Sequence, residues 1–333
     1  MGFSSKNIFV FLKNKHMIKY TCFTIFLILL NTIAFSQEHK TYANEIELVT
    51  DNDYFVIYNT SDRNYTYGLS GMFRWKANEN GFLNKLFKNN LGQSFSVGLN
   101  IEAYTPNYRN DDSNDDEIIE RPYAGWSYAE FHSNYIFEKS YFRLGLEVGI
   151  LGQASQAGAF QNYIHGHITG DELVDWSDQI PNQFGLNVVS SFAHEIYSVG
   201  FMDTYASVEA SLGNIHTYLW PKLNFRLGKL NKINASVSTN NGLFSNNDHA
   251  EWFINYGIGF KVNVYNATIQ GNIFDTNLTK PETQINHYIF TSHAGVQYSF
   301  KRFAAIFSMQ FNTGEFDRTK NHSYGSLKIL YRF

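Results

Sequence analysis

Between residue 43 and the C-terminus, segments of the chain alternate between apolar and polar positions with a period of two. Phe95, Val97, Leu99 and Ile101 alternate with Ser96, Gly98, Asn100 and Glu102. Ala206, Val208, Ala210 and Leu212 do so with Ser207, Glu209 and Ser211, and Leu327, Ile329, Tyr331 and Phe333 with Ser326, Lys328 and Arg332. Successive side chains of a strand point to opposite faces, so each such segment has one apolar and one polar face. The pattern predicts strands at 43–51, 65–76, 93–102, 124–137, 141–151, 184–196, 202–212, 218–228, 232–239, 252–264, 266–273, 286–299, 302–311 and 322–333, of which 232–239 and 266–273 are the weakest. Short turns such as Glu138-Lys139-Ser140 and Phe300-Lys301-Arg302 alternate with long loops at 52–64, 103–123 and 152–183. In the last of these, Gln156 to Ile168 reads as a helix lying over or in the mouth of the sheet structure, weakened near its end by Gly166.

A water-soluble β-sandwich would show the same alternation. Composition alone leaves the two near parity; the alternation of short turns with long loops, the placement of aromatics and the chain end separate them. Aromatic residues make up 17% of the chain and charged residues only 17%, against about 25% charged in soluble domains. Aromatic residues gather near strand ends (Trp75, Phe131, Tyr135, Tyr141, Phe142, Trp220), as in the interfacial girdles of membrane barrels. The chain ends in a strand with a terminal Phe333, resembling the signal read by the barrel assembly machinery of bacterial outer membranes. The fold expected is therefore all-β: a transmembrane antiparallel β-barrel of roughly 12–14 strands, with a short helix in an extracellular loop. No repeat, linker or second domain interrupts it. With both termini periplasmic, the long loops all fall outside.

The first residues agree with that compartment. Lys13, Lys15 and Lys19 precede the apolar run Thr21 to Leu30, and Ala34-Phe35-Ser36 makes a small-x-small cleavage pattern. This reads as a signal peptide over 1–36, with the barrel domain over 37–333 and Met17 as an alternative start. The apolar run is short of the ~20 residues of a spanning helix. Cys22, the single cysteine, lies inside it, so the mature chain has neither disulfides nor thiol chemistry. Removal of Lys6, Lys13, Lys15 and Lys19 with the signal takes the formal charge from −4 to −8, a sign that disfavours nucleic acid.

Polar chemistry concentrates in the long loops. The first stretch is Asn52-Asp53-Tyr54-Phe55 with Asp62-Arg63-Asn64-Tyr65-Thr66-Tyr67-Gly68. Strict alternation along 65–76 puts Thr66, Gly68, Ser70 and Arg74 on the lumen face. It puts Asn52 on the lipid face, so a bend near Thr50 is expected to turn Asn52 and Asp53 inward. The second is Glu120-Arg121-Pro122-Tyr123-Ala124-Gly125-Trp126, where Arg121 is suited to a phosphate or carboxylate, or to a structural ion pair. The third is Gln161-Asn162-Tyr163-Ile164-His165-Gly166-His167 with Asp171 and Glu172. On a helix, Gln161 and His165 share one face, giving an imidazole beside an amide, a candidate general base. The acidic run Asp111 to Glu117 lacks the spacing of an EF-hand loop and reads as a solvated outer loop. No Gly-x-Ser-x-Gly, P-loop or His-Glu-x-x-His motif is present.

These stretches, in this order, resemble the lipid A 3′-O-deacylase family (LpxR) of Gram-negative outer-membrane barrels. Asn52 to Phe55, Asp62 to Gly68, Arg121 to Trp126 and Gln161 with His165 match its pattern. Trp176, Gln179, Asn182 and Gly271 to Asp275 look like it too. The resemblance spans the mature chain. It implies a monomeric, calcium-dependent esterase removing the 3′ acyloxyacyl group of lipid A at the outer leaflet. It further implies His165 as base, with Asn52, Asp53, Thr66 and Gln161 in the catalytic site. Arg63, Tyr65 and Arg121 would contact substrate, and Asn52, Asp53 and either Asp171 or Glu172 would hold calcium. A glycerophospholipase barrel, or a non-catalytic channel or binding protein, is the alternative. Tyr67, Glu120 and the sequence Asp175-Trp176-Ser177 depart from the family's usual residues.

Overall fold

The computed structural model describes residues 42–56, 64–78, 81–87, 89–106, 108–110, 117–119, 121–170, 172–246, 249–274, 284–316 and 321–333. The expected signal peptide, Asp62, Arg63, Asp111 to Asp116, Glu120, Asp171 and Asp275 lie outside the described residues. Twelve strands close into an antiparallel barrel. They are β1 (Asn44–Asn52), β2 (Asn64–Lys76), β3 (Gly92–Thr105), β6 (Ala124–Ile136), β7 (Ser140–Leu151), β8 (Gln183–Val199), β9 (Met202–Gly213), β10 (His216–Lys229), β11 (Glu251–Asn266), β12 (Tyr288–Phe300), β13 (Phe303–Asn312) and β14 (His322–Arg332). Within the loop after β3, β4 (Tyr108–Asn110) and β5 (Glu117–Ile119) form a separate small ladder. Pairing of β1 with β14, from Glu45 opposite Arg332 to Asn52 opposite Gly325, closes the ring. No helix among the described residues is long and apolar enough to cross a membrane, and the crossing is made by strands.

The alternation in the sequence becomes an inside and an outside. On β1, Ile46 and Leu48 are exposed while Glu45 and Glu47 are buried in the lumen. The same outward apolar band continues through Leu99, Leu144, Leu146, Leu186, Ile254 and Val296. So wide an apolar belt would be unstable in water and is what hydrocarbon requires. Inside, charges neutralise one another. Arg74 pairs with Glu45 and lies 3.5 Å from Glu47, which also receives Lys328 at 3.3 Å.

Both expected strands that the periodicity supported least take other forms. Residues 232–239 belong to a connection, 230–246, that folds back into the lumen at the end carrying the chain termini. Its Asn241 carboxamide oxygen accepts from Asn134 of β6 at 2.9 Å, Arg332 of β14 donates to the Gly242 carbonyl at 3.1 Å, and Arg143 of β7 donates to Thr239 at 2.9 Å. Val237 packs on Ala304 and Leu330. These contacts reach walls on different sides of the ring, so the segment plugs this end. The buried Asn241, Ser236 and Thr239 fit a polar lumen, whereas the apolar residues between them mimic a strand's alternation. Residues 266–273 instead contain a one-turn helix, α2 (Ala267–Gln270), N-capped by the Asn266 side chain, which accepts from Thr268 N at 3.0 Å. At this opposite end Arg121 stacks on Tyr104 and donates to the Thr268 hydroxyl at 3.0 Å, roofing the lumen. A lumen crossed by a plug at the termini end is poorly suited to the channel alternative.

Candidate active site

The chemistry-bearing residues meet on the outside of the barrel, at the rim opposite the termini. β1 runs without a bend through Asn52, which pairs with Tyr67, while Thr50 pairs with the exposed Leu69. The expected inward turn of Asn52 does not occur. The chain turns only after it, in the tight 3₁₀ turn Asp53–Phe55, and Phe55 folds back over Gly325 on the outer face. Asp53 is buried in that turn.

A β-bulge supplies the second correction. The β2–β3 register shifts between Tyr65 and Tyr67, so Thr66 is an extra residue. A bulge re-aims side chains. Tyr65, rather than Thr66, enters the lumen, where it donates to Asp51 Oδ2 at 3.0 Å and packs on Tyr104 and Tyr324. Thr66 instead presents to the outer pocket, its hydroxyl 2.7 Å from that of Thr105. The lumenal position of Tyr65 is incompatible with contact to a substrate at this pocket.

The third part is the helix α1 (Ala157–Ile164), which packs against the outer wall instead of lying over or in the mouth. Tyr67, Ala103, Ala157 and Trp176 form its buried seam, with Ile101, Tyr123, Phe160 and Val174 beside them. Two glycines allow the approach. A Cβ at Gly125 would stand 2.7 Å from Ala157 Cβ, and one at Gly158 would stand 2.5 Å from the Trp176 ring. The Tyr67 hydroxyl donates to the Ala157 carbonyl at 2.7 Å. Asn162 then fastens the following loop, donating to Val174 O at 2.9 Å and accepting from Val174 N at 2.8 Å. Farther on, Asn182 accepts from Ala154 N at 2.7 Å, tying the loop's ends together.

Between wall and helix lies a cavity of about 300 Å³ lined by Thr50, Asn52, Thr66, Tyr67, Gly68, Leu69, Phe160, Gln161, Ile164 and His165. Asn52, Thr66, Gln161 and His165 are thus brought together from segments far apart in the chain. Gln161 is buried and accepts from Trp176 Nε1 at 3.0 Å. His165 begins a wide π-type turn, His165–Thr169, a local irregularity often found at functional sites. Its Nδ1 lies 2.8 Å from the Glu172 carbonyl, which can only accept. In the neutral ring this places the proton on Nδ1 and leaves the lone pair on Nε2, as a base requires. Glu172 contributes that carbonyl while its side chain is exposed, so it is not placed as a metal ligand. His167 points away and stacks on Tyr163.

Arg121 does not reach this pocket. Its guanidinium is fully buried in the lumen roof, 3.7 Å from Glu315, and burial lowers its proton affinity. The expected substrate contact is replaced by a structural one. A second cavity of about 300 Å³ lies inside the barrel, lined in part by Arg74, Glu130, His132, Arg143, Glu147 and Glu209. Several of its charges are already paired, Glu130 with His132 at 2.6 Å and Glu209 with Lys222 at 2.7 Å, and the barrel wall stands between it and lipid.

Among the described residues no three His, Cys, Asp or Glu side chains cluster as a metal site. The side-chain oxygens lining the pocket include the Asn52 and Gln161 amides and the Thr50 and Thr66 hydroxyls; Asp53, next to Asn52 in sequence, is buried in its turn and does not line the pocket. Neutral oxygens with few carboxylates are hard ligands that suit calcium, at the weak end of its affinity range.

A family model described as outer membrane protein LpxR matches residues 22–333. The chain belongs to the LpxR family. It is an outer-membrane β-barrel. Its fold superposes on LpxR from Salmonella typhimurium with a TM-score of 0.68 at 20% identity, covering 87% of this chain and 100% of that one. Overlays on the KdgM porin (TM-score 0.39, 8% identity, 87% of this chain and 99% of that one) and on the β domain of the Bordetella autotransporter BrkA (0.43, 10%, 88% and 99%) are too loose to bear on function. No curated protein matches the chain. Besides Tyr67, Gly125 and Asn162 within the motif stretches, the candidate site depends on Ala157 and Gly158, which no sequence motif singled out. Small residues facing one another across a strand and a helix were the available signal.

Proposed function

We propose that the chain is a lipid A deacylase that hydrolyses the ester holding the 3′ acyloxyacyl group. The observation carrying this reading is the convergence of Asn52, Thr66, Gln161 and His165 in a pocket on the lipid-facing side of the rim. A lipid in the outer leaflet can present an ester there without entering the lumen. The pocket's walls fit the same substrate, with Leu69, Phe160 and Ile164 suited to acyl chains and the amides and hydroxyls to the ester and sugar.

His165, held through Nδ1 by the Glu172 carbonyl, takes a proton from water at Nε2 as the water oxygen attacks the ester carbonyl. The tetrahedral carbon then releases the 3′ sugar oxygen, which recovers the proton from His165. The products are the free acyloxyacyl acid and a 3′-hydroxyl. Gln161 and Asn52 donate through their amides to the developing charge. Calcium, held by Asn52, Asp53 and nearby oxygens, would supply Lewis-acid stabilisation of that charge. The protein acts as a monomer, inserted by the barrel assembly machinery, with its helix end outside the cell.

Mass spectrometry of lipid A and glycerophospholipids from cells producing the protein tests this. Lipid A is expected to lose the 3′ acyloxyacyl mass, and His165→Ala to abolish the loss. An unchanged lipid A profile from folded protein with calcium present would sink the proposal. Shortened glycerophospholipids would favour the phospholipase instead.

A further inference from the structure

The connection between β2 and β3 stands out at the end that carries the termini. The turn at Glu138-Lys139-Ser140 at this end is polar and short. This connection instead exposes Phe82 (79%), Leu83 (38%), Leu86 (55%), Phe87 (38%) and Leu91 (66%) within ten residues, around the single 3₁₀ turn Leu83–Leu86. Asn90 rigidifies it, its side-chain amide donating to the carbonyls of Asn84 at 2.7 Å and Phe87 at 2.8 Å. A patch of this kind has a cost in water and marks an interaction surface.

Its location identifies the partner. Phe87 packs on Tyr135, Phe137 and Phe142, with ring centroids 4.6, 6.3 and 5.6 Å away. Tyr135 pairs with Phe142 on the face that carries Phe131, Leu144 and Leu146, which is the outer face. The connection therefore lies against the outside of the wall. On the same outer face, Gln93 and Ser133 are buried and joined by a 2.8 Å hydrogen bond. The segment turns its own apolar side chains outward. Those side chains continue the aromatic belt formed by Phe73, Trp75, Phe95 and Phe131. Lys85 is exposed within the same turn, suited to the phosphates that border a bilayer.

We propose that Phe82, Leu83, Leu86, Phe87 and Leu91 form an apolar foot that inserts into the membrane leaflet at the termini end, at the boundary between acyl chains and glycerophospholipid headgroups. Together with the girdles it fixes the barrel's depth. The pocket at the other rim is thereby held level with the opposite leaflet. The occupant is lipid, not a partner protein. That the pocket's leaflet contains lipid A rests on the function proposed above; insertion of the foot does not.

The test uses the full barrel with Cys22→Ser, reconstituted in phosphatidylethanolamine–phosphatidylglycerol vesicles. An environment-sensitive fluorophore is attached at Phe82→Cys, at Leu86→Cys or, as control, at the exposed turn residue Lys139→Cys. Emission at 82 and 86 is expected to shift to the blue relative to 139, to be quenched by shallow nitroxide-labelled lipid and to resist aqueous iodide. Quenching by iodide would overturn the proposal. So would protection from both quenchers, which would mean that protein covers the patch. Lipid A hydrolysis does not enter the readout, so failure of the deacylase reading leaves the result interpretable.

Discussion

Gly125→Ala tests whether close packing of α1 on the wall assembles the pocket. The added Cβ would stand 2.2 Å from Ser155 Oγ and 2.7 Å from Ala157 Cβ, where carbon atoms normally approach to about 3.5–4.0 Å. Ser155 can rotate, losing its 3.3 Å contact with Ala157 N. Ala157 Cβ is fixed to the first residue of the helix, so that turn must retreat by about 1 Å. Overpacking of this kind costs ~1–3 kcal/mol, and misplacing catalytic groups by about 1 Å lowers rates on the order of 100-fold. The strand ladders of β6 with β3 and β7 are untouched, so the barrel itself is expected to fold. Release of the acyloxyacyl acid from purified lipid A should slow by roughly 10- to 100-fold, while the gel shift between unheated and boiled samples stays normal. Gly71→Ala is the control on the same outer face, because its Cβ would meet Leu48 at an ordinary 3.6 Å. A folded Gly125→Ala protein with undiminished activity would refute the reasoning.

Trp176→Phe keeps the ring but removes the Nε1–H donor to Gln161 at 3.0 Å; a loss of ~1 kcal/mol predicts a roughly fivefold fall in kcat with little change in KM. Glu172→Ala keeps the carbonyl that holds His165, so activity and its response to calcium should stay within about twofold of the parent; a larger loss would return the carboxylate to the site. Arg226→Met removes a guanidinium that binds Asp203 through Nε at 2.9 Å, donates to the plug at Asn231 O at 2.9 Å and lies 3.7 Å from Glu251. Leaving those carboxylates buried and unpaired should cost ~3–5 kcal/mol in urea unfolding from vesicles, and an unchanged midpoint would show that the plug does not depend on this pair.

Much of the architecture was legible along the chain. Membrane strands must expose apolar side chains to lipid on every second residue, so the period-two pattern located all twelve barrel strands to within a few residues. It overcounted at 232–239 and 266–273, because a plug and a capping turn inside a polar lumen also mix apolar and polar residues. The residue types of the candidate site were legible as well, and helical spacing correctly set Gln161 beside His165. The side of the wall was not. Parity carries through a strand only while the register holds, and the extra residue at Thr66 reversed it, sending Tyr65 into the lumen and Thr66 to the lipid side. Asn52 was placed correctly by parity, and the inward bend expected for it has no counterpart. Where α1 docks depends on steric fit between Gly125, Gly158, Ala157 and Trp176, residues distant in sequence that touch only once the sheet has closed. Sequence determined a membrane barrel and its polar rim residues through local periodicity; the closed tertiary structure decided that they gather outside the wall, because a bulge and a helix-to-wall contact are set by packing.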